Sequence, residues 1–181
     1  MILAAPFHQT GIKILNSRAA SLIPPQAYVH LHVSFILTNV SSPSPSYFSL
    51  PPSTTISKAI FATLDTGSPA RPAFNSLNYL RRLSPAIGAR FGEGQWHVVK
   101  MFSRERLEDD LLREIFGEGN VGKAWRKEWE AYPVLEPVLK ESDLAPVRLD
   151  QGLYYVNGFE RLVSTMETEV RLFWLCFCAR S

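Results

Sequence analysis

The residues of this sequence best suited to hold a ligand are Leu153-Tyr154-Tyr155-Val156-Asn157-Gly158-Phe159-Glu160 and, just after them, Ser164-Thr165-Met166-Glu167. The aromatic and branched residues predict a short apolar strand. Asn157-Gly158 predicts a tight turn, with Gly158 supplying a backbone angle that other residues resist. The residues that follow predict the first turns of a helix. A helix start carries unpaired amide groups and a partial positive charge, so it suits an anionic or strongly accepting ligand group. The same strand–turn–helix pattern is also a common packing unit, and the residues alone leave both uses open.

Other arrangements of chemically capable residues are weaker. Gly117-Glu118-Gly119-Asn120-Val121-Gly122 spells G-x-G-x-x-G, but that fingerprint must follow a strand and open a helix. Here a predicted helix precedes it. With Lys123 it approaches a P-loop, yet Ala124 stands where a magnesium-holding Ser or Thr belongs, so a helix end and loop are expected. His30 and His32 fall on one face of a strand, a spacing able to hold a metal. No neighbouring residue in the sequence supplies a third ligand, so partly exposed strand histidines and no metal site are expected. Cys176 and Cys178 lack the second pair that a zinc site needs. No G-x-S-x-G accompanies the many serines, which leaves a serine-hydrolase reading without an anchor.

Several elements must position these residues. Ile2–Ala5 predicts a buried strand stopped by Pro6. Tyr28–Asn39 predicts the clearest strand, with Val29, Leu31, Val33, Phe35 and Leu37 as its apolar face and a mixed opposite face. That pattern belongs to a half-buried antiparallel sheet. Val40–Ser57, rich in Ser and Pro, predicts a loop that follows the glycosylation sequon Asn39-Val40-Ser41. Further strands are expected at Ala59–Leu64, Leu77–Leu83 and Trp96–Phe102. Ser103 should cap a helix from Arg104 to Phe116, whose Leu107, Leu111, Leu112 and Ile115 form an apolar stripe. The acidic residues at its start, Glu105, Glu108, Asp109 and Asp110, read as solvated charge matched to the helix dipole. Trp125–Pro137 reads as an extended, proline-punctuated segment without regular pairing. Strands with a packed helix indicate an α+β fold.

Composition narrows the function classes. The chain has 181 residues, 46% hydrophobic and 20% charged, which suits one or two globular domains. A net charge of +2, with no basic run interleaved with aromatics, argues against a nucleic-acid partner. Met1 leads into strand-like sequence rather than a secretory leader. The longest apolar stretch, Leu172–Ala179, is far shorter than the ~20 residues of a membrane-spanning helix, so no transmembrane segment is expected.

Four stretches taken in order carry a family resemblance. They are Ile2-Leu3-Ala4-Ala5-Pro6, then Val99-Lys100-Met101-Phe102-Ser103 with Glu105 and Leu107, then Trp129-Glu130-Ala131-Tyr132-Pro133, and last the Leu153–Glu160 and Ser164–Glu167 segment. Together they resemble the prenylcysteine oxidases (prenylcysteine lyases), flavoproteins built like the amine oxidases. The resemblance runs to Glu169 and matches the C-terminal portion of a full-length member. Beyond Glu169 the apolar Val170–Cys178 departs from it.

The resemblance implies an α+β fold: an antiparallel-sheet substrate half with packed helices, plus the C-terminal return segment of an FAD-binding fold. The N-terminal dinucleotide fold would be missing, so the chain is expected to be an incomplete portion. Residues 1–15 would be a remnant strand of the FAD-binding domain, 16–145 the substrate domain, 146–169 the return strand–turn–helix and 170–181 a divergent tail. Asn157, Gly158, Glu160, Ser164, Thr165, Met166 and Glu167 would bind FAD, with no catalytic acid or base named. The implied reaction is oxidative cleavage of the thioether of farnesyl- or geranylgeranyl-cysteine to cysteine, prenyl aldehyde and hydrogen peroxide, with oxygen as acceptor. Val33, Phe35, Leu37, Trp96, Trp129 and Tyr132 would be channel walls or plain core. The family implies a lysosomal or vacuolar address through the secretory route. The alternatives are a non-catalytic isoprenoid- or lipid-binding module and an amine oxidase acting on C–N bonds.

Overall fold

The computed structural model of the chain describes residues 1–15, 17–63, 72–140, 143–162 and 170–171. In chain order the strands are β1 (Ile2–Leu3), β2 (Tyr28–Thr38), β3 (Ala59–Phe61), β4 (Ser76–Arg82), β5 (His97–Ser103), β6 (Val121–Pro133), β7 (Arg148–Asp150) and β8 (Leu153–Tyr155). The α-helices are α1 (Pro85–Gly88) and α2 (Asp109–Phe116). The fold is α+β, with an antiparallel sheet and few helices, as the sequence predicts. Two compact units divide it: residues 1–29 with 131–181, and residues 30–130. Among the described residues no helix is long and apolar enough to cross a membrane.

In the unit of residues 30–130 the sheet order is β3-β4-β5-β2-β6. The ladders β3–β4, β4–β5 and β5–β2 are antiparallel, with Val33 opposite Phe102, Ile36 opposite Val99 and Thr38 opposite His97. Trp125–Pro137 is corrected: β6 makes most of it a regular edge strand beside β2. Its hydrogen bonds are a backbone property that Trp, Lys and Glu side chains do not advertise. The strand expected at Ala59–Leu64 stops at Phe61.

One face of the sheet receives α2. Leu112, Ile115 and Phe116 are buried against Ile36, Leu77, Val99 and Met101, with Leu107 closing the same core. The helix starts later than expected, at Asp109 with Glu108 as its first flanking residue, and no side-chain cap bond forms. Ser103 instead ends β5, its hydroxyl donating to the Glu105 carbonyl at 2.6 Å. Arg126 on β6 reaches across, its Nε donating to the Leu107 carbonyl at 2.6 Å and its guanidinium also meeting the Asp109 carboxylate. This satisfies a backbone acceptor that the late helix start leaves unpaired. Gly117 leaves α2 at φ 88, and Asn120 Nδ2 donates to the Phe116 carbonyl at 2.9 Å. The G-x-G-x-x-G run is therefore a helix end and loop leading into β6, as expected.

Both faces of β2 carry buried residues, Leu31 and Leu37 on the apolar face included, but the face that meets α2 is the mixed one. Ile36 is 0% exposed and Ser34 and Thr38 are buried with it, whereas Phe35 is 38% exposed. The mixed face meets α2, because that helix supplies enough apolar surface to cover a strand face carrying two small hydroxyls.

In the unit of residues 1–29 and 131–181, β1 runs parallel to β8, Ile2 facing Tyr154 and Leu3 facing Tyr155. β8 pairs antiparallel with β7 through a turn in which Gly152 takes φ +72. Leu3, Ala19, Ile23, Ala145, Leu149, Leu153 and Tyr155 form the core beneath. The Tyr155 hydroxyl accepts the Phe7 amide at 3.3 Å.

Candidate functional site

The segment singled out for ligand binding begins as expected and then changes character. β8 is a short buried strand, and Val156–Phe159 after it forms a single 3-10 turn rather than a β-turn. Gly158 does not take a positive φ. Its need is for space: a Cβ there would lie 2.5 Å from the Ala145 carbonyl oxygen. The glycine lets two backbone segments of one unit approach more closely than any side chain allows.

Three polar side chains follow. Glu160 Oε2 accepts the Tyr28 hydroxyl at 3.0 Å and Asn157 Nδ2 at 3.3 Å. Arg161 donates from its terminal nitrogen to Glu136 at 3.1 Å. Asn157 Oδ1 and Arg161 Nε are buried with no hydrogen-bond partner among the described residues. Both residues line one small cleft with Ile23, Tyr28, Ala145 and Glu160. Its free space of about 20 Å³ admits one water. A buried acceptor and a buried donor facing such a space suit one bridging molecule. They do not by themselves fit a flavin ring, and one oxygen of the Glu160 carboxylate, Oε2, is already taken by Tyr28 and Asn157. Ser164, Thr165, Met166 and Glu167 lie outside the described residues, as do Cys176 and Cys178.

The residues expected around an apolar ligand divide into three places. Leu37 and Trp96 are buried together with Leu83. Val33 and Phe35 lie on the sheet face turned away from α2, in register with Phe102 and Lys100 of β5, and Lys100 Nζ sits 4.3 Å from the Phe102 ring centre. Strand alternation sets Trp125 and Trp129 opposite to Arg126, which faces α2, so both exposed indoles lie on that outer side. Tyr132 falls on the Arg126 side. Phe35, Phe102 and the two tryptophans thus make an apolar face set among lysines, which the alternation of β2 had marked as core.

A basic recess lies at the β4–β5 end of the same unit, lined by Lys58, Arg81, Arg82, Tyr79, His97 and Asn39. Burial pushes the Tyr79 hydroxyl well above the usual phenol range, and that hydroxyl has no partner among the described residues. Burial, then the Lys58 and Arg82 charges, holds His97 below its ordinary value of 6.5. A depressed value means that folding favours the neutral ring, so the stability linked to His97 is present above pH 6.5 and lost as pH falls through the folded value. A proton NMR titration should place the His97 midpoint below 6.5, and Lys58→Gln should raise it. A midpoint at or above the ordinary value would mean that neither burial nor the neighbouring charges bear on this ring.

The sequence left His30 and His32 without a third partner. The structure supplies one: Glu128 Oε2 lies 3.7 Å from His30 Nε2 and 3.8 Å from His32 Nε2. Recognising β6 as a strand would have put Glu128 and Glu130 on one face, but their meeting with the histidines depends on β6 pairing with β2.

Comparison with known proteins follows the same lines. A sequence model of the prenylcysteine lyase family matches residues 1–170. The farnesylcysteine lyase of Arabidopsis thaliana is 29% identical over 168 residues, which is 92% of this chain. The chain spans 29% of the length of that relative.

Proposed function

The chain belongs to the prenylcysteine lyase family, and from that membership we propose that the whole protein cleaves the thioether of farnesyl- or geranylgeranyl-cysteine oxidatively, in the degradation of prenylated proteins. In balance, the thioether, one oxygen and one water give cysteine, the prenyl aldehyde and hydrogen peroxide. The prenyl carbon loses two electrons and its bond to sulfur, and oxygen gains the two electrons. FAD would supply the two-electron acceptor. The described residues do not by themselves form a bed for it, so Asn157, Gly158 and Glu160 are assigned no step beyond lining a small polar cleft. The other assigned positions, Ser164 to Glu167, carry the cofactor role as part of the same proposal.

The observation that carries the reading in this chain is the open sheet face of Phe35, Phe102, Trp125 and Trp129. A prenyl tail is a long apolar chain, and burying it removes surface from water at about 25 cal/mol per Å². Residues 16–145 would serve as the substrate domain through this face. The isoprenoid-carrier reading is not favoured, since the family and the relative are both lyases by name. A lysosomal or vacuolar address, taken from the family, belongs to the same proposal.

Turnover tests the reading. A family-length protein carrying residues 1–170 should release cysteine, farnesal and peroxide in equal amounts from farnesylcysteine. Cysteine released without peroxide would overturn it. The 181-residue chain expressed alone should show no stoichiometric flavin absorbance, because the free space of its described cleft, about 20 Å³, is too small for a ring. Bound FAD at one per chain would show that this segment makes a complete site.

A further inference from the structure

We infer that His30, His32 and Glu128 form a binding site for a divalent transition-metal ion of the zinc class, with Glu130 orienting His30. The site lies within the unit of residues 30–130 and shares no residue with the cleft or the apolar face. Alternation puts both imidazoles on one face of β2. The neighbouring edge strand β6 brings Glu128 and Glu130 to the same place. One ligand atom from each of His30, His32 and Glu128 lies within 4.8 Å of the others.

The distances favour an ion between these groups over a ladder of ion pairs. His30 Nε2 and His32 Nε2 stand 3.7 and 3.8 Å from the same oxygen, Glu128 Oε2. Neither separation is a hydrogen bond. Ligand atoms around a tetrahedral zinc, each about 2.0–2.2 Å from the metal, are themselves roughly 3.4 Å apart. The two separations to Glu128 are close to that spacing, and side-chain rotation would bring all three atoms, which lie within 4.8 Å of one another, onto a shared centre.

The partner of His30 adds an independent reason. Its Nδ1 lies 2.9 Å from Glu130 Oε1, a hydrogen bond that commits that nitrogen and leaves Nε2 as the ligand atom. Metal-binding histidines characteristically donate their second nitrogen to a carboxylate, which fixes the tautomer and the ring direction. The rings of His30 and His32 meet edge to face, 5.3 Å between centres, so both can aim at one point without stacking.

Donor chemistry selects the ion. Two imidazoles and one carboxylate suit zinc and its neighbours, whereas calcium and magnesium prefer oxygen ligands alone. Three protein ligands leave a fourth position for water. The ligands come from two neighbouring strands, so the ion would fasten edge strand β6 to β2.

Calorimetric titration of the full chain with zinc chloride tests this, with magnesium chloride as control. One zinc per chain is expected, and no response to magnesium. Glu130→Gln should weaken zinc binding by about 10–100-fold. His32→Gln and Glu128→Gln should weaken it further, while far-UV circular dichroism without metal stays unchanged. Cobalt substitution locates the ion: visible bands without thiolate charge transfer support the histidine site. Charge-transfer bands, which would move the ion to Cys176 and Cys178, overturn it. So does zinc affinity unaltered in His32→Gln and Glu128→Gln, or no binding to the unaltered chain at millimolar zinc.

Discussion

Ile36→Ala should cost about 3 kcal/mol of folding stability, and Phe35→Ala only about 1 kcal/mol, although the larger side chain is lost in the second case. The two residues are neighbours on β2 and face opposite ways. Ile36 is 0% exposed and touches the α2 core of Leu112, Ile115 and Phe116. Its truncation leaves a cavity that α2 can fill only by leaving its seat. Phe35 is 38% exposed, and water enters wherever its ring is removed. Urea unfolding of both variants, followed by tryptophan fluorescence, gives the comparison. A larger loss from Phe35→Ala would mean that the outer face is the real core, and the proposed prenyl surface would go with it. If the ordering holds, the Phe35 substitution should appear in substrate binding instead, as a raised KM for farnesylcysteine in the family-length protein.

The same pair shows what the sequence could and could not reveal. Strand existence was legible, because period-two alternation over Tyr28–Asn39 is a long and regular signal. Which face would receive the helix was not. Val29 to Leu37 offers five apolar residues on one face, yet the opposite face, with Ile36 between Ser34 and Thr38, receives the helix. Partner geometry decides that, and a hydroxyl as small as that of Ser or Thr fits beneath a helix with little loss of packing. β6 was missed for a related reason. On an edge strand with one side open, exposed Trp125, Trp129 and Glu130 satisfy no simple apolar pattern, and the pairing rests on backbone groups.

The local structure of the segment singled out for ligand binding was legible only in part. Leu153–Glu160 does combine a buried strand with a tight turn, and Asn157 does keep an unpartnered oxygen among the described residues. What failed was the assumption that Asn-Gly implies a left-handed backbone at the glycine. The Ala145 contact that replaces it lies thirteen positions earlier in the chain, and no local pattern could name it. The same limit hid Glu128 from His30 and His32, because cross-strand partners are set by register rather than by spacing along the sequence.

Gly158→Ala is the sharper test of that segment, with an expected loss of about 3 kcal/mol, at the upper end for one added methyl group in a tightly packed site. The new Cβ would sit 2.5 Å from the Ala145 carbonyl oxygen and 3.3 Å from its carbonyl carbon and Cβ. A flexible side chain could swing away from such a clash. Ala145 cannot, because it is buried among Leu149, Leu153 and Tyr155, and the obstructing atoms are mostly backbone. Gly152→Ala is the matched control: nothing lies within 4 Å of its Cβ, and the strain of φ +72 alone should cost about 1 kcal/mol. Hydrogen exchange at Leu153–Tyr155 in the cofactor-free chain reads the difference, since β8 must open when the turn is forced from Ala145. Expected is a rise in exchange about a hundredfold for Gly158→Ala, following from roughly 3 kcal/mol, and a much smaller one for Gly152→Ala. If Gly158 were kept only to let a cofactor approach, the cofactor-free protein would not notice the methyl group. Unchanged exchange together with lost FAD binding in the family-length protein would therefore return this glycine to the cofactor and take it from the packing.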